Sequence, residues 1–116
     1  MSDRKFDLSE RLEDFAAEVI LLYDKQPLSY AGDYLAKQLI RSSCSSALNY
    51  GEVLGAGTDK DKINKLRICL KELRESLRNL NIQIKAKLFS EADLAKLKNE
   101  NDQLIRIIVT RIKNIN

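Results

Sequence analysis

The sequence contains no histidine and no tryptophan, and it has only one proline, four glycines and two cysteines in 116 residues. Without histidine, Ser-His-Asp triads and histidine-containing zinc or di-iron sites are excluded, and no cofactor is expected. So few glycines and prolines cannot supply the turns of a many-stranded sandwich or barrel. Two cysteines are too few for a disulfide framework. No run of about 18 apolar residues occurs, so we expect no membrane-spanning helix.

The opening segment MSDRKFD has none of the apolar character of a secretory signal peptide. We therefore expect a cytoplasmic protein whose two cysteines are reduced thiols. Hydrophobic residues make up 44% and charged residues 32% of the chain, a balance typical of folded proteins rather than disordered ones. The length suits a single domain over residues 1–116.

Apolar residues recur every three to four positions in four segments, which predicts four helices. These segments span about residues 8–26, 30–54, 59–87 and 90 onwards. Asp7 and either Thr58 or Asp59 are suited to cap the first and third helices, and Ser90 with Asp93 forms an imperfect capping box. The connections are short, so consecutive helices should be antiparallel neighbours. We predict an all-α fold, an antiparallel up-down-up-down four-helix bundle.

The predicted core faces differ between helices. The third helix has an uninterrupted apolar face: Ile63, Leu66, Leu70, Leu73, Leu77, Leu80 and Ile84. The second helix has a small and polar centre instead, with Ser42, Ser46 and Asn49 at core spacing. A buried Asn49 amide must find hydrogen-bond partners, which we interpret as structural polarity rather than catalysis.

Basic residues concentrate on the third helix: residues 60–87 carry a net charge of +6, against −4 for residues 1–59. They form a stripe beside the core face: Lys60, Arg67, Lys71, Arg74, Arg78 and Lys85. The stripe has two interpretations. It can pair with the acidic side chains of the first helix, which we favour, or it can follow the phosphates of a nucleic acid.

The fourth helix has more apolar residues than one core face needs. The surplus consists of Ile105, Ile107, Val109 and Ile112. Either a long first helix covers them, or they form an interface between subunits, since large apolar patches rarely stay exposed. We favour the oligomer interface.

Two segments resemble a known family. RSSCSSALNYGE at residues 41–52 and DKINKLRICLKELRES at residues 61–76 resemble the signature of the bacterial four-helix-bundle proteins encoded in intervening sequences of large-subunit ribosomal RNA genes. Three positions depart from the family pattern: Gly51 softens the motif helix, Lys62 replaces a usual Phe, and Asn79 replaces a frequent Trp.

The resemblance implies a bundle that assembles as a ring, commonly a homopentamer, without known enzymatic activity. The chain is also similar to accessory proteins of diversity-generating retroelements, which form basic pentameric barrels, contact a reverse transcriptase and bind nucleic acid. Carried onto this chain, the motif residues imply a structural polar network between the second and third helices: Asn49, Glu52, Lys65, Lys71, Glu72 and Glu75.

We therefore expect a non-enzymatic, homo-oligomeric scaffold or adaptor, whose partner is a second copy of itself. The alternative is an RNA-binding ring that uses the basic stripe, or a contact with a nucleic-acid-associated protein. An enzyme built on Glu52, Lys71 and Glu72 is disfavoured; only a lysine or glutamate with a perturbed pKa in a pocket would favour it.

Overall fold

Four helices make up the bundle. The computed structural model describes residues 7–24 and 27–115, and within these ranges it contains α1 (Leu8–Tyr23), α2 (Tyr30–Leu54), α3 (Asp59–Lys85), α4 (Glu91–Ile115) and no strand. Each helix packs against its neighbours in chain order, and α4 returns to pack against α1. The predicted all-α, up-down-up-down bundle is confirmed. In this arrangement α1 lies diagonally opposite α3, and α2 diagonally opposite α4.

Polar side chains cap the N-termini of the helices. Asp7, Ser29 and Thr58 each accept a hydrogen bond from the backbone N–H three residues later, at 3.0–3.1 Å. At α4 the capping box is complete: Ser90 Oγ accepts from the Asp93 N–H at 3.1 Å, and Asp93 Oδ2 accepts from the Ser90 N–H at 3.2 Å. These bonds satisfy N–H groups that have no partner inside a helix, and so fix where each helix begins.

α1 is shorter than predicted. It ends at Tyr23 instead of near Gln26, and Gln26 lies outside the described residues. With 16 residues, α1 is about 24 Å long. α4 has 25 residues and is about 38 Å long. α1 therefore covers only part of α4.

α3 ends two residues earlier than predicted, at Lys85. Lys87 has a left-handed backbone with φ of 63°. Its N–H bonds to the Ile84 carbonyl at 3.0 Å, and the Leu88 N–H bonds to the Gln83 carbonyl at 2.9 Å. This pattern is a Schellman motif, which satisfies the last carbonyls of the helix and turns the chain toward α4.

The apolar core receives side chains from all four helices. The predicted core face of α4 is buried along its whole length: Leu94, Leu97, Asn101, Leu104 and Ile108. The first helix contributes Leu8, Leu12, Phe15 and Val19, all buried as predicted. None of the described helices contains a stretch apolar enough to cross a bilayer.

The buried face of α3 differs from the predicted one. Leu66, Leu73 and Leu80 are fully buried. The leucines between them are only partly buried, and a second, largely polar column is buried instead: Cys69, Ser76, Asn79 and Gln83. Because α3 packs between α2 and α4, two columns of its surface are covered, and the column that faces α2 is the polar one.

Candidate functional site

The contact between α2 and α3 is made by small polar side chains. Ser42 Oγ and Ser76 Oγ share a hydrogen bond of 2.7 Å in the core. Ser46, also fully buried, donates to the Ser43 carbonyl at 2.7 Å, and the Cys69 thiol donates to the Ser46 carbonyl at 3.4 Å. Small side chains let two helix backbones approach closely, and each hydroxyl finds a partner. The serine-rich centre of α2 is thus a packing surface.

A buried chain of hydrogen bonds joins three helices at one end of this contact. The Tyr23 hydroxyl donates to Gln83 Oε1 at 2.8 Å, Gln83 Nε2 donates to Asn79 Oδ1 at 2.7 Å, and Asn79 Nδ2 donates to the Leu35 carbonyl at 2.9 Å. Burial raises the pKa of Tyr23, and the bond to Gln83 partly opposes that shift. Asn79 and Gln83 are four residues apart in the sequence, a spacing that places two side chains side by side on a helix. Nothing in the sequence indicated that Tyr23 would join them.

Two acidic residues of the family motif meet on one arginine. The buried Glu72 carboxylate accepts from Arg41 at 3.3 Å and from Ser45 Oγ at 3.1 Å. Glu75 accepts from the same guanidinium at 2.6 Å. The bond to Glu75 is the main cause that raises the pKa of Arg41. Arg41 was not among the predicted network residues, although it opens the motif that carries the family resemblance.

The other predicted network residues relate to this cluster in different ways. Asn49 is partly exposed, so it is not the buried amide that we expected, but its Nδ2 donates to the Ser45 carbonyl at 2.9 Å and to Ser45 Oγ at 3.1 Å, and Ser45 in turn donates to Glu72. Glu52 and Lys65 form a separate ion pair of 2.5 Å across α2 and α3. Lys71 is exposed on the side of α3 that faces α4. Three of the six predicted residues, Asn49, Glu72 and Glu75, are therefore joined through Ser45 and Arg41, whereas Glu52 and Lys65 form their own pair and Lys71 faces α4.

The basic stripe lies on an open surface. All six residues are exposed, and within the described ranges none of them forms an ion pair: Lys60, Arg67, Lys71, Arg74, Arg78 and Lys85. This differs from the pairing with α1 that we favoured. The reason is topological, because the acidic helix α1 lies diagonally across the bundle from α3.

A groove between α3 and α4 collects part of this stripe. Its basic and acidic lining comes from Arg67, Lys71, Arg74, Glu75, Arg78 and Lys113, and its apolar lining from Leu70, Val109 and Ile112. The groove therefore combines excess positive charge with an apolar floor. Such a surface suits an anionic ligand or a partner with apolar and acidic side chains.

The four predicted interface residues of α4 do not share one patch. Ile105, Ile107, Val109 and Ile112 are all partly exposed. Val109 and Ile112 line the groove with α3. Ile107 lies two residues before Val109, about 200° around the helix, and therefore on the side of α1. One flat interface cannot include both Ile107 and Val109.

The buried cysteine, Cys69, does not have the environment of a reactive site. Cys44 and Cys69 are free thiols, and burial raises the pKa of Cys69 to about 12, which keeps its thiol protonated and unreactive. The described residues contain no group of three or more Cys, Asp or Glu placed to hold a metal ion.

Comparisons with known proteins place these features in a family. The family model of the 23S rRNA-intervening sequence protein matches residues 4–110. The chain is also similar to the 1.70 Å crystal structure of a protein of unknown function from the S23 ribosomal protein family of Bacteroides thetaiotaomicron VPI-5482. That match has a TM-score of 0.82 and 25% sequence identity, and it covers 91% of this chain and 98% of the other. No curated protein matches the chain.

Proposed function

The chain belongs to the 23S rRNA-intervening sequence protein family, and on that premise we propose that it is a non-enzymatic, homo-oligomeric scaffold or adaptor that assembles as a pentamer in the cytoplasm. The observation that carries this proposal is the amount of large apolar surface that one chain leaves uncovered. Among the described residues, the exposed large apolar side chains are Ile20, Leu21, Leu28, Tyr30, Tyr34, Leu48, Leu54, Ile68 and Ile82. Large apolar side chains that one chain leaves exposed can be covered at an interface between copies.

The polar residues of the family motif support a structural role. Glu52 and Glu72 each bind a basic side chain across the α2–α3 contact. Lys71, the third residue of the disfavoured enzymatic arrangement, lies away from both of them, in the groove with α4. Carboxylates held in ion pairs between two helices order those helices; they are not poised as a general base.

Size-exclusion chromatography with light scattering, followed by native mass spectrometry, tests this proposal at tens of micromolar protein. We expect a single species of five times the chain mass. A chain that stays monomeric would contradict the proposal. A closed oligomer with a different number of subunits would support the scaffold proposal but contradict the pentamer.

A second candidate function, RNA binding, is favoured by the unpaired basic stripe. Six exposed basic residues without an ion pair in the described ranges lie along one helix over about 38 Å, from Lys60 to Lys85. A row of this kind can contact several phosphates, and binding of that type weakens steeply with salt.

A titration with labelled structured RNA at several salt concentrations tests RNA binding. Replacing Arg67, Arg74 and Arg78 by Gln should weaken binding and lower the slope of log K against log salt by about one unit per lost phosphate contact. Replacing Lys37 and Arg106 by Gln provides the control, because both are exposed basic residues outside the stripe that pair with a carboxylate of their own helix. No binding at low salt, or an equal effect of both sets, would exclude the candidate.

A further inference from the structure

One exposed face of the bundle alternates apolar and charged residues. This α2–α3 face carries Tyr34 and Arg41, seven residues apart on α2, and Ile68 and Glu75, seven residues apart on α3. Tyr34 is 58% exposed and Ile68 is 38% exposed. The ion pair of 2.6 Å between Arg41 and Glu75 stands at the centre of the face. Apolar residues lie toward both ends, Tyr34 and Ile82 at one and Ile68 and Leu48 at the other, with the opposite charges side by side between them.

The opposite face of the bundle repeats this order. This α1–α4 face carries Leu21 and Glu18 on α1, and Lys96 and Ile107 on α4. Leu21 is 68% exposed, and Ile107 is partly exposed. Glu18 and Lys96 form an open ion pair of 3.7 Å, in which the lysine side chain is 87% exposed. This face too has apolar residues toward its ends and opposite charges in between. A second and less exposed ion pair, Arg11–Glu100 at 2.7 Å, also lies between the ends, and its two charges neutralise each other within the chain.

Contacts inside the bundle show that the apolar ends of the two faces lie at the same heights. The Tyr23–Gln83 bond aligns α1 with α3, so Leu21 is level with position 81. The Arg41–Glu75 pair aligns α2 with α3, so Tyr34 is level with position 82. Leu21 and Tyr34 therefore differ in height by about 1.5 Å.

The same comparison holds at the other end. Asn101 bonds to the Leu73 carbonyl, which places Ile107 level with position 67 of α3. Ile107 and Ile68 also differ in height by about 1.5 Å. The charged residues match less closely, within about one helical turn, which long side chains can span.

We propose that the α2–α3 face of one chain docks head to tail on the α1–α4 face of a second copy. This inference rests on the proposed homo-oligomer and names the surfaces that build it. When two copies stand side by side with parallel bundle axes, α2 faces α1 of the second copy and α3 faces its α4. Tyr34 then meets Leu21, and Ile68 meets Ile107.

Charge complementarity selects a second copy as the occupant. In this arrangement Arg41 faces Glu18 of the second copy, and Glu75 faces its Lys96. The four charged side chains then form a square in which positive and negative charges alternate. Each keeps its ion pair within its own chain and gains a second opposite charge from the other copy. Because the two faces are different surfaces, the contact is heterologous, and it closes into a ring when each copy is rotated relative to the last by a fifth of a turn about a common axis. The groove between α3 and α4 stays open.

Disulfide trapping tests the arrangement. In a Cys44→Ser background, the double variant Ile68→Cys/Ile107→Cys should give covalent multimers under mild oxidation, seen on a non-reducing gel. The two positions lie on opposite faces of one chain, so a bond within the chain is excluded. Cys69 does not interfere, because it is fully buried. The matched control Ile82→Cys/Ile107→Cys places the thiols about 22 Å apart in height and should give none.

The outcomes separate this interface from the oligomer itself. An oligomer of normal mass without Ile68–Ile107 disulfides would overturn the interface and leave the proposed scaffold standing. Equal trapping in the Ile82 control would also overturn it. Disulfides between separate Leu48→Cys and Ile68→Cys chains would indicate a twofold contact of two α2–α3 faces instead. A monomeric wild-type chain would overturn both proposals and assign the faces to another partner.

A charge reversal gives an independent test. Arg41→Glu should raise the concentration for half-dissociation at least about tenfold, because it places two carboxylates opposite each other. Glu18→Arg in the same chain should restore assembly. Residues 18 and 41 lie on opposite faces, so this rescue requires a contact between copies. Failure of the rescue, with folding intact by circular dichroism, would overturn the interface.

Discussion

The α2–α3 contact and the core face of α4 hold the bundle together in opposite ways. Between α2 and α3, Ser42, Ser46 and Ser76 keep the helices close and exchange hydrogen bonds. Along α4, Leu104 and Ile108 fill space and have no exposed surface. Removing side-chain volume should therefore destabilise the α4 side most. Adding side-chain volume should destabilise the α2–α3 side most.

The largest expected effect is a loss of volume from α4. Leu104→Ala removes a fully buried side chain and should lower the free energy of unfolding by about 2–5 kcal/mol. Urea denaturation followed by circular dichroism measures this change. Ile105→Ala, at a partly exposed neighbour, is the control and should cost clearly less. Equal losses would mean that α4 packs through a different face.

A gain of side-chain volume should destabilise the α2–α3 contact. Ser46→Leu places a large side chain where α2 and α3 approach closely and should cost about 1–3 kcal/mol through overpacking. Ser46→Ala keeps the close approach and loses one hydrogen bond, so its cost should stay near 1 kcal/mol. The same denaturation experiment compares them. If leucine is tolerated as well as alanine, the contact is looser than the structure shows.

High pH should weaken the α2–α3 side through Cys69. Burial raises the pKa of this thiol from 9.0 to about 12. The folded state thus holds the proton more tightly, and this stabilisation is complete below pH 9.0 and lost as the pH rises toward 12. In this window wild-type stability should fall faster than that of Cys69→Ala, by up to about 1.4 kcal/mol per pH unit.

Denaturation curves at several alkaline pH values provide the measurement. Tyr23, whose pKa is also raised, is present in both proteins and cancels from the difference. Parallel pH profiles for the two proteins would show that Cys69 is less enclosed than its burial indicates.

The smallest expected effect concerns the one polar residue on the core face of α4. Asn101 is fully buried and donates to the Leu73 carbonyl at 2.9 Å, but its Oδ1 has no hydrogen-bond partner among the described residues. Because leucine removes this unsatisfied oxygen, Asn101→Leu should change the free energy of unfolding by no more than about 1 kcal/mol in either direction. A large decrease in the free energy of unfolding would show that the Asn101 hydrogen bond stabilises the bundle, as the polar contacts between α2 and α3 do.

Local signals made the helices predictable. Asp7, Thr58 and Ser90 cap helices where the sequence indicated them, because a cap bonds to groups only three residues away. The core face of α4 was equally predictable, since one side of that helix carries most of its large apolar residues. The topology followed from short connections, which leave consecutive helices little choice but to lie side by side.

The functional surfaces were less predictable. Asn49 was expected to be buried, yet it is partly exposed and is joined to Glu72 through Ser45, while Arg41, which was not expected in the network, binds both Glu72 and Glu75. Ile107 and Val109 looked like parts of one patch but point to opposite sides of α4. Each of these outcomes depends on the angular position of a neighbouring helix, which spacing along one chain segment does not contain.

Sequence alone was enough for the four helices, three of their N-terminal caps, the apolar core face of α4 and the family. The packing of the four helices in the tertiary structure decided which surfaces remain exposed. By setting acidic α1 diagonally across from basic α3, the fold leaves the stripe without an ion pair among residues 7–24 and 27–115 and sets the α2–α3 and α1–α4 faces on opposite sides of the bundle. Helix formation depends on interactions over a few residues, whereas the meeting of charged faces depends on which helices become neighbours.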